Sequence, residues 1–154
     1  MMKIVLFQPE IPQNTGNIVR TCSVTNTGLI LVRPLGFVIS DKTLKRAGLD
    51  YWSEVDIEYI DDLESYLENT KAPFYFLSSK AKKRYTDIQF QGDELLIFGS
   101  ETSGLPKKFF EKWPEKFCTV PMAPKARCLN LSNTAAIVVY EGLRQLDFNS
   151  FSNP

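Results

Sequence analysis

The sequence predicts an α/β fold, a parallel β-sheet with helices on both faces. Two patterns point to it: short apolar runs of strand length recur along the chain, and amphipathic or capped stretches of helical length separate them. A third is size, since 154 residues with 44% hydrophobic content suit a single domain with one core. Lys and Arg number 18 and Asp and Glu 18, so the formal charge is zero. That balance argues against disorder and against a non-specific nucleic-acid coat, while leaving room for a local basic patch.

The elements follow in order. Ile4 to Phe7 reads as the opening strand, and Asn14 to Asn26 as a helix capped by Asn14 and closed by Gly28. Leu29 to Val32 is the second strand, Val55 to Ile60 a less regular one, and Asp61 to Glu68 a short acidic helix. Phe74 to Leu77, Leu95 to Phe98 and Phe117 to Val120 complete the buried strands. Pro106 opens a helix running through Lys112. The last helix, about Leu131 to Leu146, is apolar over much of its circumference, so a second subunit is expected on part of it, with Tyr140 and Leu143 as contacts. Phe148 to Pro154 reads as a frayed tail.

Composition also excludes chemistry. With no histidine there is no Ser-His-Asp or Cys-His nucleophile system, no imidazole base and no His-ligated zinc, and no metal is expected. Cys22, Cys118 and Cys128 are widely spaced and lack a C-x-x-C pair, which suits reduced thiols in the cytoplasm. The N-terminal apolar run is too short for a signal peptide, and no run approaches the roughly 20 residues a bilayer requires.

Ligands of parallel sheets bind beyond the carboxyl ends of the strands, so the loops there carry the functional signal. Pro9 to Arg20 holds Asn14, Asn17 and Arg20 near one helix start, reading either as a capped helix with a surface arginine or as a site. Gly99 to Pro106 has two glycines that admit close backbone approach, and Glu101 between them is either a turn residue or a ligand acceptor. It is not a G-x-G-x-x-G loop, so a dinucleotide fold is not indicated. Val120 to Asn133 sets Asn130, Ser132 and Asn133 at the start of the most apolar helix, more amide and hydroxyl groups than one cap needs. Lys80, Lys82, Lys83 and Arg84, with Lys107, Lys108, Lys125 and Arg127, make the carboxyl edge basic, for phosphate contact or as solvated loops. Cys128 without a histidine reads as a small packing residue rather than a nucleophile.

Taken together, N-T-G-N-I-V-R from Asn14, F-G-S-E-T-S-G-L-P from Phe98 and L-N-L-S-N-T from Leu129 resemble the three motifs of the SPOUT superfamily of RNA 2'-O-methyltransferases. With E-I-P-Q-N-T-G-N from Glu10, P-L-G-F from Pro34 and A-G-L-D-Y from Ala47, the chain is similar to the small, single-domain TrmL (YibK) type, the tRNA (cytidine/uridine-34-2'-O)-methyltransferases.

The resemblance implies one SPOUT domain over residues 1–154, with a C-terminal trefoil knot over approximately 73–146. It implies S-adenosylmethionine as methyl donor, a homodimer with each site at the subunit interface, and the anticodon stem-loop of tRNA as partner. Carried over residue by residue, the donor would meet Leu77, Ser78, Gly99, Glu101, Val120, Met122, Cys128, Leu129 and Asn130. Arg20, Asn14, Glu101 and Asn133 would form the catalytic set, and Lys80, Lys107, Arg127 and Tyr140 would hold RNA. A guanidinium is a poor base, so Arg20 is expected to orient phosphate and stabilise a developing alkoxide. Relatives often carry Arg at Ser103, Ser at Cys128 and His at Trp52, whose indole would either stack on a base or pack. The alternatives are 2'-O-methylation elsewhere in tRNA or ribosomal RNA, and a non-catalytic RNA-binding dimer of this fold.

Overall fold

Strand β1, Lys3–Phe7, lies at the centre of the sheet because its interior residues are buried on both faces. The computed structural model describes residues 1–39, 42 and 49–151. The Ala47 end of the A-G-L-D-Y segment and the last residues of the predicted tail lie outside them. β1 pairs in parallel with β2, Gly28–Val32, on one side and with β5, Leu95–Phe98, on the other. β3, Ile57–Ile60, extends the first side, and β4, Phe74–Leu77, then β6, Phe117–Cys118, extend the second. The result is a six-stranded parallel sheet in the order β3-β2-β1-β5-β4-β6.

Alternation along the strands sends successive side chains to two cores. Ile4, Leu6, Leu29, Leu31, Leu96 and Phe98 face helices α1, Pro12–Thr25, and α4, Leu131–Gln145. Val5, Ile30, Val32, Phe76, Leu95 and Ile97 face α2, Leu63–Asn69, and α3, Lys107–Lys112. On that second face Phe76 stacks on Phe117 with ring centroids 4.6 Å apart, and Phe74 meets Trp113 edge-on at 5.4 Å. The predicted α/β sheet covered on both faces is therefore the observed one.

Several boundaries differ from expectation for physical reasons. α1 starts at Pro12, with Ile11 as its cap residue, so Asn14 is inside the helix rather than capping it. α1 closes on Asn26, in the left-handed region at φ 52°, rather than on Gly28. Gly28 instead begins β2 where a Cβ would press within 2.9 Å of the Lys3 side chain. The third strand is shorter than Val55 to Ile60 because residues Leu49–Glu54 form a 3-10 turn that runs up to it. β6 stops at Cys118 because Thr119 leaves β4 and bonds to the 83–85 segment, its N–H to Lys83 O at 2.8 Å and its carbonyl from Tyr85 N–H at 2.9 Å. The chain after α4 folds back as far as Phe151, with Phe148 N–H donating to Leu143 O at 2.9 Å, so this part of the predicted tail is ordered onto the body.

Two expected partner contacts separate here. Leu143 is 5% exposed and belongs to the core between α1, α4 and the sheet, which corrects its reading as a subunit contact. Tyr140 is 46% exposed, beside Ile137 on the outer side of the same helix.

Candidate active site

The loops after β4, β5 and β6 surround one open cleft of about 470 Å³ at the carboxyl edge of the sheet. Every residue expected at the donor lines it. Leu77 and Ser78 come from the end of β4, Gly99 and Glu101 from the loop after β5, and Val120 and Met122 from the chain beyond β6. Cys128, Leu129 and Asn130 close the far side. Cys128 is exposed, with its thiol 3.9 Å from Ser79 Oγ, so it is a wall of the cleft and not the packing residue expected from its size.

Backbone sets the shape of this cleft. The loop after β5 folds on itself, Gly104 N–H donating to Ser100 O at 2.9 Å. This brings Gly99 so close that a Cβ there would lie 2.4 Å from the Gly104 carbonyl carbon. Gly104 has φ +66°, which an L side chain rarely adopts. The two glycines thus serve different needs, close approach and left-handed backbone.

A polar network ties the three motifs together. Asn14, 6% exposed, must satisfy its amide internally. Its Nδ2 donates to Glu101 Oε1 at 3.4 Å, and its Oδ1 accepts from Asn130 Nδ2 at 3.0 Å. Asn130 Oδ1 in turn caps α4, accepting from Ser132 N–H at 2.9 Å, Ser132 Oγ at 2.6 Å and Asn133 N–H at 3.3 Å. Glu101 also accepts from Glu10 N–H at 2.8 Å and Ile11 N–H at 3.1 Å, so it anchors, from 90 residues away, the backbone that leads into α1. Thr102 Oγ1 donates to the Glu10 carboxylate at 2.7 Å, a second tie between the same loops. Glu101 sits in the turn after β5 and lines the cleft, with its oxygens engaged by the protein's own N–H groups.

Other expected residues stand apart from the cleft. Arg20 is exposed six residues beyond Asn14, roughly 9 Å along the helix axis, with its guanidinium 5.3 Å over the Tyr51 ring. Asn133 is exposed and contributes its backbone N–H to the Asn130 cap. Lys80 lines the cleft, whereas Lys107 is exposed and 3.6 Å from Glu111, and Arg127 lies on the exposed 121–130 segment. Trp52 is half-buried against the α1/α4 core, which makes it a packing residue. Thr134, whose hydroxyl donates to Asn130 O at 3.0 Å, also lines the cleft and was not anticipated, although the helical spacing from Asn130 was a usable signal. Burial pushes the Cys22 thiol up to about 12, and burial raises Cys118 as well, so neither is poised as a nucleophile. Among the described residues no three His, Cys, Asp or Glu side chains gather to hold a metal, and no helix is long and apolar enough to cross a membrane.

The sequence model of the SpoU rRNA Methylase family matches residues 1–140, which contain the whole cleft and all three motifs. The chain belongs to this family. Among its relatives, the tRNA (cytidine(34)-2'-O)-methyltransferase of Methylovorus glucosotrophus (strain SIP3-4) is 46% identical over 150 residues, covering 96% of this chain and 97% of the relative. A structure presented as "Structural insights into the 2-OH methylation of C/U34 on tRNA" matches with TM-score 0.89 and 38% identity over 97% of this chain and 98% of that one. The SpoU methyltransferase AviRb from Streptomyces viridochromogenes, solved in complex with the cofactor AdoMet, shares the fold at TM-score 0.83 and 21% identity, covering 96% of this chain and 58% of that chain. For a SpoU methylase the motif residues are thus the ones the network joins.

Proposed function

We propose that this chain is an S-adenosylmethionine-dependent methyltransferase acting on the ribose 2'-hydroxyl of nucleotide 34 of tRNA, cytidine or modified uridine. The observation that carries the reading is the convergence of segments 14–20, 98–106 and 129–134 on one cleft through the Asn14 amide. A donor with an adenine ring and a sulfonium suits this cleft, whose walls combine exposed apolar Met122 and Leu129 with the close-packed loop backbone around Gly99 and Gly104. Residues Leu77, Ser78, Gly99, Glu101, Val120, Met122 and Cys128 to Asn130 would hold it. When bound, the donor supplies a methyl group on a sulfonium that leaves as a neutral thioether.

The remaining work falls to the chain's own groups. Asn14, Glu101 and Asn130 fix the loops, so the cleft is preorganised rather than assembled on binding. Arg20 neutralises the target phosphate and stabilises alkoxide character at the 2'-oxygen, while Asn133 frames the rim. Because Arg20 stands away from its own cleft, the reading includes a homodimer in which each site is completed across the interface, with Tyr140 on the exposed side of α4 close to it. Lys80, Lys107 and Arg127 would contact the anticodon stem-loop. The same reading makes residues 1–154 one cytoplasmic SPOUT domain whose trefoil knot covers approximately 73–146.

The test is calorimetric titration with S-adenosylmethionine, followed by tritiated methyl transfer to bulk tRNA and mapping of the label. Donor binding with label on the 2'-oxygen of nucleotide 34 is expected. Label elsewhere would replace the target, and no donor binding would leave a non-catalytic RNA-binding dimer. Arg20→Ala should abolish transfer while leaving donor affinity and dimerisation nearly unchanged; turnover that survives the substitution would remove Arg20 from the site.

A further inference from the structure

A second cavity, of about 410 Å³, opens at the carboxyl edge where β1 meets β5. Its walls come from three loops: Phe7, Gln8 and Glu10 after β1, Pro34 to Gly36 after β2, and Ser103 to Pro106 after β5. The β1/β5 boundary is where strand order reverses, the chain going first to β2 and β3 on one side and then to β4, β5 and β6 on the other. Such a switch point opens a crevice between loops that leave in opposite directions, and it is where parallel sheets bind ligands. The donor cleft is displaced from it, over β5, β4 and β6, and the two cavities share Ser100, Ser103, Gly104 and Leu105 as a common wall.

The walls are held in place by backbone. Gln8 N–H donates to Val32 O at 3.1 Å and Gly36 N–H to Pro9 O at 2.9 Å. At Gly36 a Cβ would meet Glu10 Cα at 2.9 Å, so the two loops are in direct main-chain contact. Gln8 itself has φ +47°, a left-handed conformation that costs a glutamine of order 1 kcal/mol and that glycine would adopt freely. Strain of this kind gathers at functional sites, and Gln8 holds it at the wall of this cavity.

We infer that this switch-point cavity receives the base of the target nucleotide, and that the Gln8 amide reads its Watson–Crick edge. This rests on the proposed methylation of nucleotide 34 and deepens it. A base seated here places its ribose over the shared Ser100 to Leu105 wall, next to the donor cleft. Phe7, Leu35 and Leu105 offer apolar surface to the ring. Cytosine presents an amino donor beside a ring acceptor, and uracil presents the reverse, a carbonyl acceptor beside a ring N–H. A carboxamide carries one acceptor and one donor, so turning the Gln8 amide over matches either base. One residue thereby admits both pyrimidines.

The test is a chemical double-mutant cycle on binding of anticodon stem-loops that carry C34, U34, the 2-pyrimidinone ribonucleoside, which lacks a group at C4, or an abasic sugar at position 34. Wild-type protein is expected to bind the C34 and U34 loops at least about 10-fold tighter than the pyrimidinone loop, and Gln8→Gly to reduce that preference below about 2-fold while its melting temperature holds or rises. Leu35→Trp, which fills the cavity, should weaken the C34 and U34 loops and spare the abasic one. An unchanged preference in Gln8→Gly, or equal weakening of all loops by Leu35→Trp, would overturn the assignment. Because these readouts are binding affinities, they stand or fall separately from donor titration and methyl transfer, which test the activity itself.

Discussion

Glu101 anchors the entry to α1 from a distant loop, and its removal has a calculable cost. Its two oxygens accept from Glu10 N–H at 2.8 Å, Ile11 N–H at 3.1 Å and Asn14 Nδ2 at 3.4 Å. In Glu101→Gln one oxygen becomes an amide nitrogen facing a backbone donor, so one hydrogen bond is lost and those remaining no longer have a charged acceptor at the α1 N-terminus. A neutral bond contributes about 1 kcal/mol and a charge-assisted one about 1.5–3, which gives a destabilisation of about 1–3 kcal/mol. Glu101→Ala removes both acceptor oxygens and with them all three hydrogen bonds; Ile11 N–H can find water, whereas the buried Asn14 amide cannot, and the cost rises to about 2–4 kcal/mol. Urea unfolding followed by far-ultraviolet circular dichroism measures both, with donor titration in parallel because Glu101 lines the cleft. A Glu101→Gln midpoint equal to wild type, or an alanine variant more stable than the glutamine one, would refute the anchoring role.

Other expectations follow from the same geometry. Gly99→Ala places a Cβ 2.4 Å from backbone that must move by several tenths of an ångström or more, so stability should fall by about 1–3 kcal/mol and donor affinity at least 10-fold; Gly104→Ala, with open space around it, should show the backbone strain of order 1 kcal/mol alone. The Cys22 thiol is raised by burial from 9.0 to about 12, so the folded state holds its proton more tightly than the unfolded one. Its contribution is fully present below pH 9 and is lost as pH rises toward 12, and Cys22→Ala should make the alkaline fall in the urea midpoint shallower. If the exposed Lys80, Lys82 and Lys83 dock phosphates, tRNA affinity should drop steeply with salt, and Lys82→Ala should reduce the logarithmic slope by about 1; a flat titration would move the RNA surface elsewhere.

The sheet was legible because residues such as Val5, Ile30 and Ile97 are buried on both faces and leave near-continuous apolar runs, a signal local to each strand. That Leu77, Gly99, Val120 and Asn130 gather on one cleft was legible through the family motifs. What local reading missed depends on contacts across the chain. Asn14 looked like a cap because no sequence pattern announces that its amide is taken up by Glu101, 87 residues further on, and by Asn130. Leu143 read as a partner contact because apolar spacing does not say which side of α4 meets the protein's own sheet. β6 ended early because Thr119 found partners at Lys83 and Tyr85, a pairing outside the strand pattern. Cys128 read as a packing residue for want of an activating histidine, but its exposure is a property of the loop that carries it.

The position of β1 has a consequence for biosynthesis. Of the six strands it is made first, yet its two neighbours are residues 28–32 and 95–98, so one of its edges waits for a strand some 90 residues further on. The Asn14 bridge waits longer still, for Asn130. A chain interrupted before residue 95 therefore has an unpaired apolar strand edge, the kind of surface on which chains associate, and the cleft gains its far wall only when Cys128 to Asn130 and α4 have been made.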